Sequence, residues 1–332
     1  MKQIFLVATL IAGTLSLSAQ RTMQVWQGTD YSEYSTAVVD SITFLDEPEG
    51  TLITCEPEID TVFVTKTDTI TQTVTKRDTV YLKPATTKSI GRYAVATGKY
   101  VTFTRGNLQY HAATNRWRLA EHQYDIIGES NANISDTYNG WIDLFGWGTR
   151  MYPTLTEKDN SRYPTFVDWG TNLIGTDEPD TWRTLTYDEW IYLFQYNQWT
   201  LARVNGLLGV MLIPKTVSLP EGTTMNLLST KYPPGEDKIY SHSFTREDYE
   251  NNNYTLEQFA LLEKQGVVFL PMAGWRNEKS VVFVGEECTY WSATADAGAR
   301  EAGMVYIREI FVRFVKDDRY PGCSVRLVKD VK

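Results

Sequence analysis

The chain has 332 residues, three cysteines and a formal net charge of −9 at pH 7. An acidic chain lacks the basic surface that neutralises phosphates, so we expect no nucleic-acid partner. Three cysteines allow at most one internal disulfide, which excludes a disulfide scaffold and leaves a hydrophobic core as the source of stability.

Residues 1–19 have the pattern of a cleavable signal peptide. Met1-Lys2 is a short positive start, an apolar stretch runs from Ile4 to Leu17, and Ser18-Ala19 offers small residues for cleavage. The apolar stretch is shorter than the roughly 20 residues that a transmembrane helix needs. We therefore expect an exported chain without a transmembrane segment.

Two segments separate this signal from the globular part. Residues 20–50 contain a predicted β-hairpin, with strands at Met23 to Trp26 and Val38 to Phe44 around a turn at residues 28–30. Residues 51–87 are rich in Thr, Val, Asp and Lys, so we expect an extended spacer without a core of its own. Its repeated Asp-Thr-Val and Asp-Thr-Ile triplets are either O-glycosylation acceptors or an unmodified polar stalk.

Residues 88–332 are predicted to form one globular domain. Thr186 with Glu189 and Thr255 with Gln258 have the spacing of capping boxes, which predicts two helices, the second stopped by Gly266. Short apolar runs predict strands at Tyr100 to Thr104, Val210 to Ile213, Val267 to Leu270, Thr289 to Ser292, Met304 to Ile307, Phe311 to Val315 and Ser324 to Val328. Strands outnumber helices, so the predicted class is α+β with antiparallel sheet and long loops.

Short strings rich in aromatic residues and glycine follow one another along this domain. They are Phe103 to Tyr110, Trp117 to Ala120, Gln123 to Asp125, Gly140 to Gly148, Leu185 to Trp190, Phe269 to Gly274, Tyr290 to Thr294 and Ser324 to Val328. In this order they resemble a family of exported bacterial domains related to the C-type lectin fold. That family includes formylglycine-generating enzymes, also called sulfatase-modifying-factor-like proteins, and the variable proteins of diversity-generating retroelements. The resemblance covers residues 90–330.

This resemblance implies two helices flanking a small sheet, chain ends close together, and loops that present a binding face. Trp141, Trp147 and Trp291 are expected to pack in the scaffold. The segment Val39 to Phe44 also looks like one found after the signal in surface proteins of anaerobic gut and oral bacteria. It implies secretion or display on the outer surface of a Gram-negative bacterium.

Three functions remain open. The preferred one is a recognition module, an adhesin held on a stalk, that binds a glycan or protein. The alternatives are an enzyme of the formylglycine-generating type and a structural subunit of a surface assembly such as a fimbrial tip. The enzyme requires a reactive cysteine pair that binds copper, and its cysteines lie close together in sequence. Cys288 and Cys323 lie far apart, so they favour either a disulfide or two buried free thiols.

The expected binding residues are aromatic and arginine side chains near the C-terminus, because such residues anchor recognition surfaces. They are Trp275, Arg276, Arg300, Tyr306 and Arg308. No cofactor is expected, with calcium as the one alternative. Asp177, Glu178 and Asp180 could supply oxygen ligands for it, or could be solvated loop charges.

Overall fold

The computed structural model describes residues 89–231, 244–298 and 300–331, together with the backbone of five short strands between residues 6 and 54. The chain divides into two units, Met1–Val80 and Tyr81–Lys332. Most of the predicted spacer and most of the predicted signal peptide lie outside the described residues.

The first unit contains the predicted hairpin, but with a different second strand. Strand β1 (Leu6–Val7), β2 (Thr22–Gln27) and β3 (Asp30–Ser35) form one antiparallel sheet in that order. Thr22 pairs with Ser35 and Gln27 with Asp30, so the partner strand follows the turn directly. The assignment of Val38 to Phe44 as that partner is corrected, because β4 (Thr43–Phe44) pairs with β5 (Ile53–Thr54) instead.

The second unit is a mixed α+β structure built mostly from strands. Its strands are β6 (Ile90–Ala96), β7 (Lys99–Phe103), β8 (Leu108–His111), β9 (Arg116–Leu119), β10 (Trp141–Ile142), β11 (Arg183–Thr184), β12 (Gln198–Val204), β13 (Leu207–Ile213), β14 (Asn253–Tyr254), β15 (Val268–Pro271), β16 (Trp275–Asn277), β17 (Ser280–Val282), β18 (Glu287–Ala295), β19 (Glu301–Arg308), β20 (Phe311–Asp318) and β21 (Leu327–Val331). Its helices are α1 (Tyr187–Tyr196), α2 (Leu228–Lys231) and α3 (Leu256–Lys264). None of the helices in the described part of the chain is long and apolar enough to cross a bilayer.

The strands form several small sheets. Their orders are β11-β21-β7-β6, β14-β12-β13-β15, β18-β19-β20, β10-β8-β9 and β16-β17. The first sheet contains both β6, which opens the described part of this unit, and β21, which closes it. Because only β7 separates these strands, β6 and β21 lie about 10 Å apart in the sheet.

Both predicted capping boxes are present. The Thr186 side chain accepts a hydrogen bond from the Glu189 backbone, and Thr255 accepts one from Gln258. Gly266 follows α3 with φ of 94°, a conformation that glycine adopts without steric cost. The capping pattern therefore located the starts of the two longer helices correctly. The predicted strand at Ser324 is corrected, since β21 begins only at Leu327.

Three buried clusters hold the unit together. The largest packs α1 against β6, β7, β12, β13 and the inner face of β18–β20. A second is rich in tryptophan and includes Trp117, Trp147, Trp169, Trp182 and Trp291. The third packs Phe259 and Leu262 of α3 against the sheet that contains β12. The predicted packing role holds for Trp147 and Trp291, which are fully buried, whereas Trp141 is half-buried.

Candidate functional site

A polar cleft of about 480 Å³ opens on the surface beside strand β12. It is lined by Arg203, Arg246, Tyr249, Glu250, Asn251 and Asn253. Its volume falls in the range of roughly 300–1,000 Å³ that is typical of small-ligand sites. Two parts of the chain that are distant in sequence form its walls.

The first wall is the β12–β13 hairpin. Asn205 and Gly206 form its two-residue turn with φ of 49° and 83°, the left-handed conformations that an Asn-Gly turn requires. Arg203 is the last but one residue of β12, and its Nη1 donates to the Gly206 carbonyl at 3.1 Å. The turn therefore holds the guanidinium group at the cleft through one donor, while its other donors make no hydrogen bond among the described residues.

The second wall is the turn that leads into β14. It starts with a single 3-10 turn, Arg246–Asp248, in which the Thr245 N–H donates to Asp248 Oδ2 at 2.8 Å. Strand β14 then pairs in parallel with the end of β12, with Arg203 opposite Asn253. This pairing brings the two walls together.

Buried Asn252 fastens this turn to the rest of the unit. Its Nδ2 donates to Thr200 Oγ1 at 3.0 Å and to the Leu201 carbonyl at 2.9 Å, and its Oδ1 accepts from the Asn226 N–H at 2.7 Å. The Arg203 N–H also donates to the Asn252 carbonyl at 2.8 Å. All the hydrogen-bonding capacity of the Asn252 side chain is directed inward, so its neighbours Asn251 and Asn253 face outward on a fixed backbone.

The lining side chains are largely unengaged. Within the described ranges, Arg246, Glu250 and Asn251 make no side-chain hydrogen bond or ion pair, although two of them carry opposite charges in one cleft. Arg203 gives a single hydrogen bond to a backbone carbonyl. Asn253 Nδ2 donates to the Glu250 carbonyl within the turn. The cleft therefore presents two guanidinium groups, a carboxylate and the Asn251 carboxamide to a ligand.

Tyr249 forms the buried part of the cleft. Its side chain is 2% exposed and belongs to the largest core cluster. Burial, with a smaller effect of the nearby Glu309 carboxylate, raises the pKa of Tyr249, while Arg203 and Arg246 act in the opposite direction. The phenol is therefore protonated at neutral pH, and the two guanidinium groups lie near it.

Two of the binding residues predicted from the sequence lie together on another surface. Tyr306 donates its hydroxyl proton to Glu287 Oε2 at 2.9 Å, and Arg308 pairs with Glu287 Oε1. Glu287 is almost fully buried, whereas Arg308 is about one third exposed and lies 5.5 Å from the ring of Phe283. This group is satisfied internally, because each polar side chain already has a partner.

The prediction of Arg276 as a surface contact is corrected. Arg276 is fully buried, and its guanidinium donates to the Leu144 carbonyl at 3.3 Å and to the Glu278 carbonyl. Its backbone also exchanges hydrogen bonds with Gly322. Arg276 is thus a structural side chain that ties three loops together. Trp275 precedes it on β16 and is half-buried.

Arg300 stands apart from the other predicted residues. Its side chain is 78% exposed and lies 3.9 Å from Asp318. It precedes β19, whereas Arg308 ends that strand, so the length of β19 separates them by about 25 Å. The five predicted residues therefore do not form one site.

Cys288 and Cys323 are both free and buried. Burial raises the pKa of Cys323 to about 12, and burial with the adjacent Glu287 raises the pKa of Cys288 well above its usual range. Of the two alternatives left open by the sequence, this structure has the free thiols. Neither thiol has the thiolate character that nucleophilic or copper chemistry requires.

The predicted calcium ligands are spread along a turn. Asp177 Oδ2 accepts a hydrogen bond from the Trp182 indole at 2.8 Å, and Asp180 has φ of 64°. Across the described parts of the chain, no three His, Cys, Asp or Glu residues are grouped so that they could hold a metal ion.

The cleft was not predicted from the sequence. Two signals mark its walls: the Asn205-Gly206 pair between apolar residues, and the polar string Glu250 to Asn253, which ends two residues before the capping residue Thr255. Neither indicates that the two segments meet. No family model, curated protein or solved structure matches this chain.

Proposed function

We propose that the second unit is an exported recognition module of the C-type lectin-like fold that binds a glycan or protein through the cleft beside β12. The cleft, instead of the C-terminal face predicted from the sequence, supplies the contacts. In this proposal the N-terminal segments serve to export the module and hold it away from the cell.

The architecture supports the proposed fold family. Two capped helices, α1 and α3, pack on small, mostly antiparallel sheets, and the first and last described strands of the unit, β6 and β21, belong to one sheet. These are features that the resemblance implied. Several tryptophans are used in the core, with the Trp147 indole donating to the Ser292 carbonyl at 2.9 Å and that of Trp291 to the Phe145 carbonyl at 2.7 Å.

The observation that carries the functional proposal is the state of the cleft residues. Polar side chains normally find partners within a folded protein or in water, and most charged side chains of this unit do so within the protein. In the cleft, Arg203, Arg246 and Glu250 converge without pairing with one another. A rigid backbone clamped by Asn252 holds them there, and such preorganisation lowers the entropic cost of binding.

The same structure argues against the enzymatic alternative. A copper-binding cysteine pair needs accessible thiolates, whereas burial raises the pKa values of both Cys288 and Cys323. Binding therefore accounts for more of the described features than cysteine catalysis does.

A glycan and protein array probed with the full chain tests this proposal. We expect a reproducible ligand whose signal is lost in the Arg203→Gln, Arg246→Gln double variant. The matched control is Arg116→Gln with Arg313→Gln, which removes two exposed arginines outside the cleft. A ligand retained by the cleft variant and lost in the control would place the site elsewhere. An array without any ligand would contradict the proposal.

A further inference from the structure

We propose that the cleft binds a sugar residue that carries a carboxylate, such as a uronic acid at the end of a glycan or within it. This inference rests on the proposed recognition function and names the chemistry of its ligand. It follows from the charges, the hydrogen-bonding types and the shape of the cleft.

Neither cleft arginine has a carboxylate partner among the described residues, although the chain is acidic. Several other cations of this unit are paired at short range, such as Arg105 with Glu263 at 3.1 Å, Arg183 with Glu189 at 2.7 Å and Lys316 with Asp296 at 2.6 Å. Exposed arginines such as Arg116 and Arg313 lack a carboxylate partner as well, but they do not line the cleft. Arg203 and Arg246 line the same cleft, where two guanidinium groups together favour an anionic ligand.

The geometry of guanidinium groups favours a planar acceptor. A carboxylate accepts two parallel hydrogen bonds from one guanidinium, and such bidentate pairs are among the strongest hydrogen bonds in proteins. Arg203 and Arg246 lie on opposite walls, on β12 and on the 3-10 turn, and both are close to the Tyr249 phenol. A carboxylate seated above Tyr249 would be reached from both walls.

The remaining lining groups require hydroxyl groups on the same ligand. The exposed Glu250 carboxylate accepts hydrogen bonds, and the Asn251 carboxamide both donates and accepts them. Sulfate has no proton to donate to Glu250 and hydrogen phosphate has only one, and Glu250 repels either dianion more strongly than it repels a single carboxylate. Sugar hydroxyls donate and accept, so they match this part of the cleft.

A carboxylate and several hydroxyls must also lie close together to meet all these groups in a cleft of about 480 Å³. An acidic sugar carries them on one rigid ring. The side chain of an acidic peptide brings a carboxylate on a flexible stem without adjacent hydroxyls, which leaves Glu250 unpartnered and costs more side-chain entropy. The chemistry therefore favours the acidic sugar.

Isothermal titration with the full chain tests the ligand class. The probes are galacturonic and glucuronic acid, their neutral counterparts galactose and glucose, the methyl ester of galacturonic acid, free glutamate and inorganic phosphate. We expect each acidic sugar to bind at least about tenfold more tightly than its neutral counterpart or ester, since a charge-assisted pair contributes about 1.4 kcal/mol or more. This preference should decrease as salt is added.

Two variants separate the roles of the cleft residues. Arg246→Gln should weaken acidic-sugar binding about tenfold and leave binding of the neutral sugars unchanged. Glu250→Ala should weaken neutral sugars, because it removes an acceptor of their hydroxyl protons, and should weaken acidic sugars less, because it also removes a repulsion of their carboxylate. Arg116→Gln, an exposed arginine outside the cleft, should change neither.

The outcomes distinguish this inference from the function on which it rests. If neutral sugars bind the cleft as tightly as acidic ones, or if glutamate or phosphate binds as tightly as the acids, the ligand class is wrong and recognition by the cleft stands. If none of the probes binds and the array also yields no ligand, both proposals fail.

Discussion

Arg326 is fully buried and donates hydrogen bonds to three oxygens of the surrounding loops. Its Nη2 reaches the Arg105 carbonyl and Gln123 Oε1, each at 2.9 Å, and its Nη1 reaches Asn107 Oδ1 at 3.2 Å. Burial lowers its pKa to about 10, which leaves the guanidinium charged at neutral pH. It thus connects the loop after β7 with the segment before β21.

Replacing Arg326 should destabilise the second unit strongly. Arg326→Met removes the donors and leaves several buried acceptors unsatisfied, each at a cost of about 1–3 kcal/mol, so we expect a loss of about 3 kcal/mol or more. Arg313→Met is the control, since Arg313 is exposed and lies over the Phe311 ring, and it should cost less than about 1 kcal/mol. Urea unfolding measures both. Equal losses would contradict the structural role of Arg326.

Asp143 should make stability depend on pH. Burial raises its pKa to about 6, partly offset by hydrogen bonds from Asn131 and the Ile127 N–H. Because the folded-state pKa exceeds the unfolded value near 3.8, the stabilising contribution is complete below about pH 4 and is lost as pH rises through 6. We expect this group alone to lower the unfolding free energy by about 1–2 kcal/mol between pH 5 and 7.5.

The measurement is urea unfolding at the two pH values for the wild type and for Asp143→Asn. The variant has no carboxyl group at this position. Its unfolding free energy should therefore fall by about 1–2 kcal/mol less than that of the wild type between the two pH values. An identical pH dependence in both proteins would exclude Asp143 as the titrating group. The shift of its carboxyl carbon in an NMR titration reports the pKa directly.

At the scale of elements, the helix starts are encoded locally. In α1 the Thr186 side chain accepts from the Glu189 N–H at 3.2 Å, and the Glu189 carboxylate accepts from the Thr186 N–H at 2.8 Å. Thr186→Ala should cost about 1 kcal/mol of unfolding free energy, whereas Thr186→Ser keeps the hydroxyl and should cost much less. Thermal or urea unfolding distinguishes them. A similar loss in both variants would contradict the capping role.

Such local signals explain why part of the fold could be predicted from the sequence. The capping boxes and the apolar runs of β13, β15, β19 and β20 depend on neighbours along the chain, so the predicted elements overlap those observed. The predicted strand from Ser324 to Val328 does not match as well. Its apolar run continues into β21, but Ser324 itself forms only an isolated β-bridge with Tyr290. That pairing is decided by distant residues.

The cleft depends even more on distant contacts. The parallel pairing of Arg203 with Asn253 and the inward bonds of Asn252 bring together two segments that the sequence alone does not connect. The prediction that Arg276 lies on a binding surface was wrong because contacts with distant residues bury it. Its aromatic and cationic neighbours indicated recognition, but packing against Gly322 buried the side chain.

At the scale of the whole molecule, the buried thiols report on global unfolding. Cys288 lies in the largest core cluster and Cys323 in the tryptophan-rich cluster, and both are fully buried. In a Cys55→Ser variant, we expect a thiol reagent to label neither cysteine faster than the unit unfolds. The labelling rate should rise with urea in parallel with unfolding. Rapid labelling of one cysteine in the native protein would instead support a reactive site and the enzymatic alternative.

The central claim is that ligands contact the cleft beside β12 and not the C-terminal face around Glu287, Tyr306 and Arg308. Backbone amide NMR of the full chain, titrated with galacturonic acid or a ligand found on the array, tests it most directly. We expect shift changes concentrated at Arg203, at residues 246–253 and in the Asn205-Gly206 turn. Changes confined to β18–β20, with the cleft signals unmoved, would contradict it.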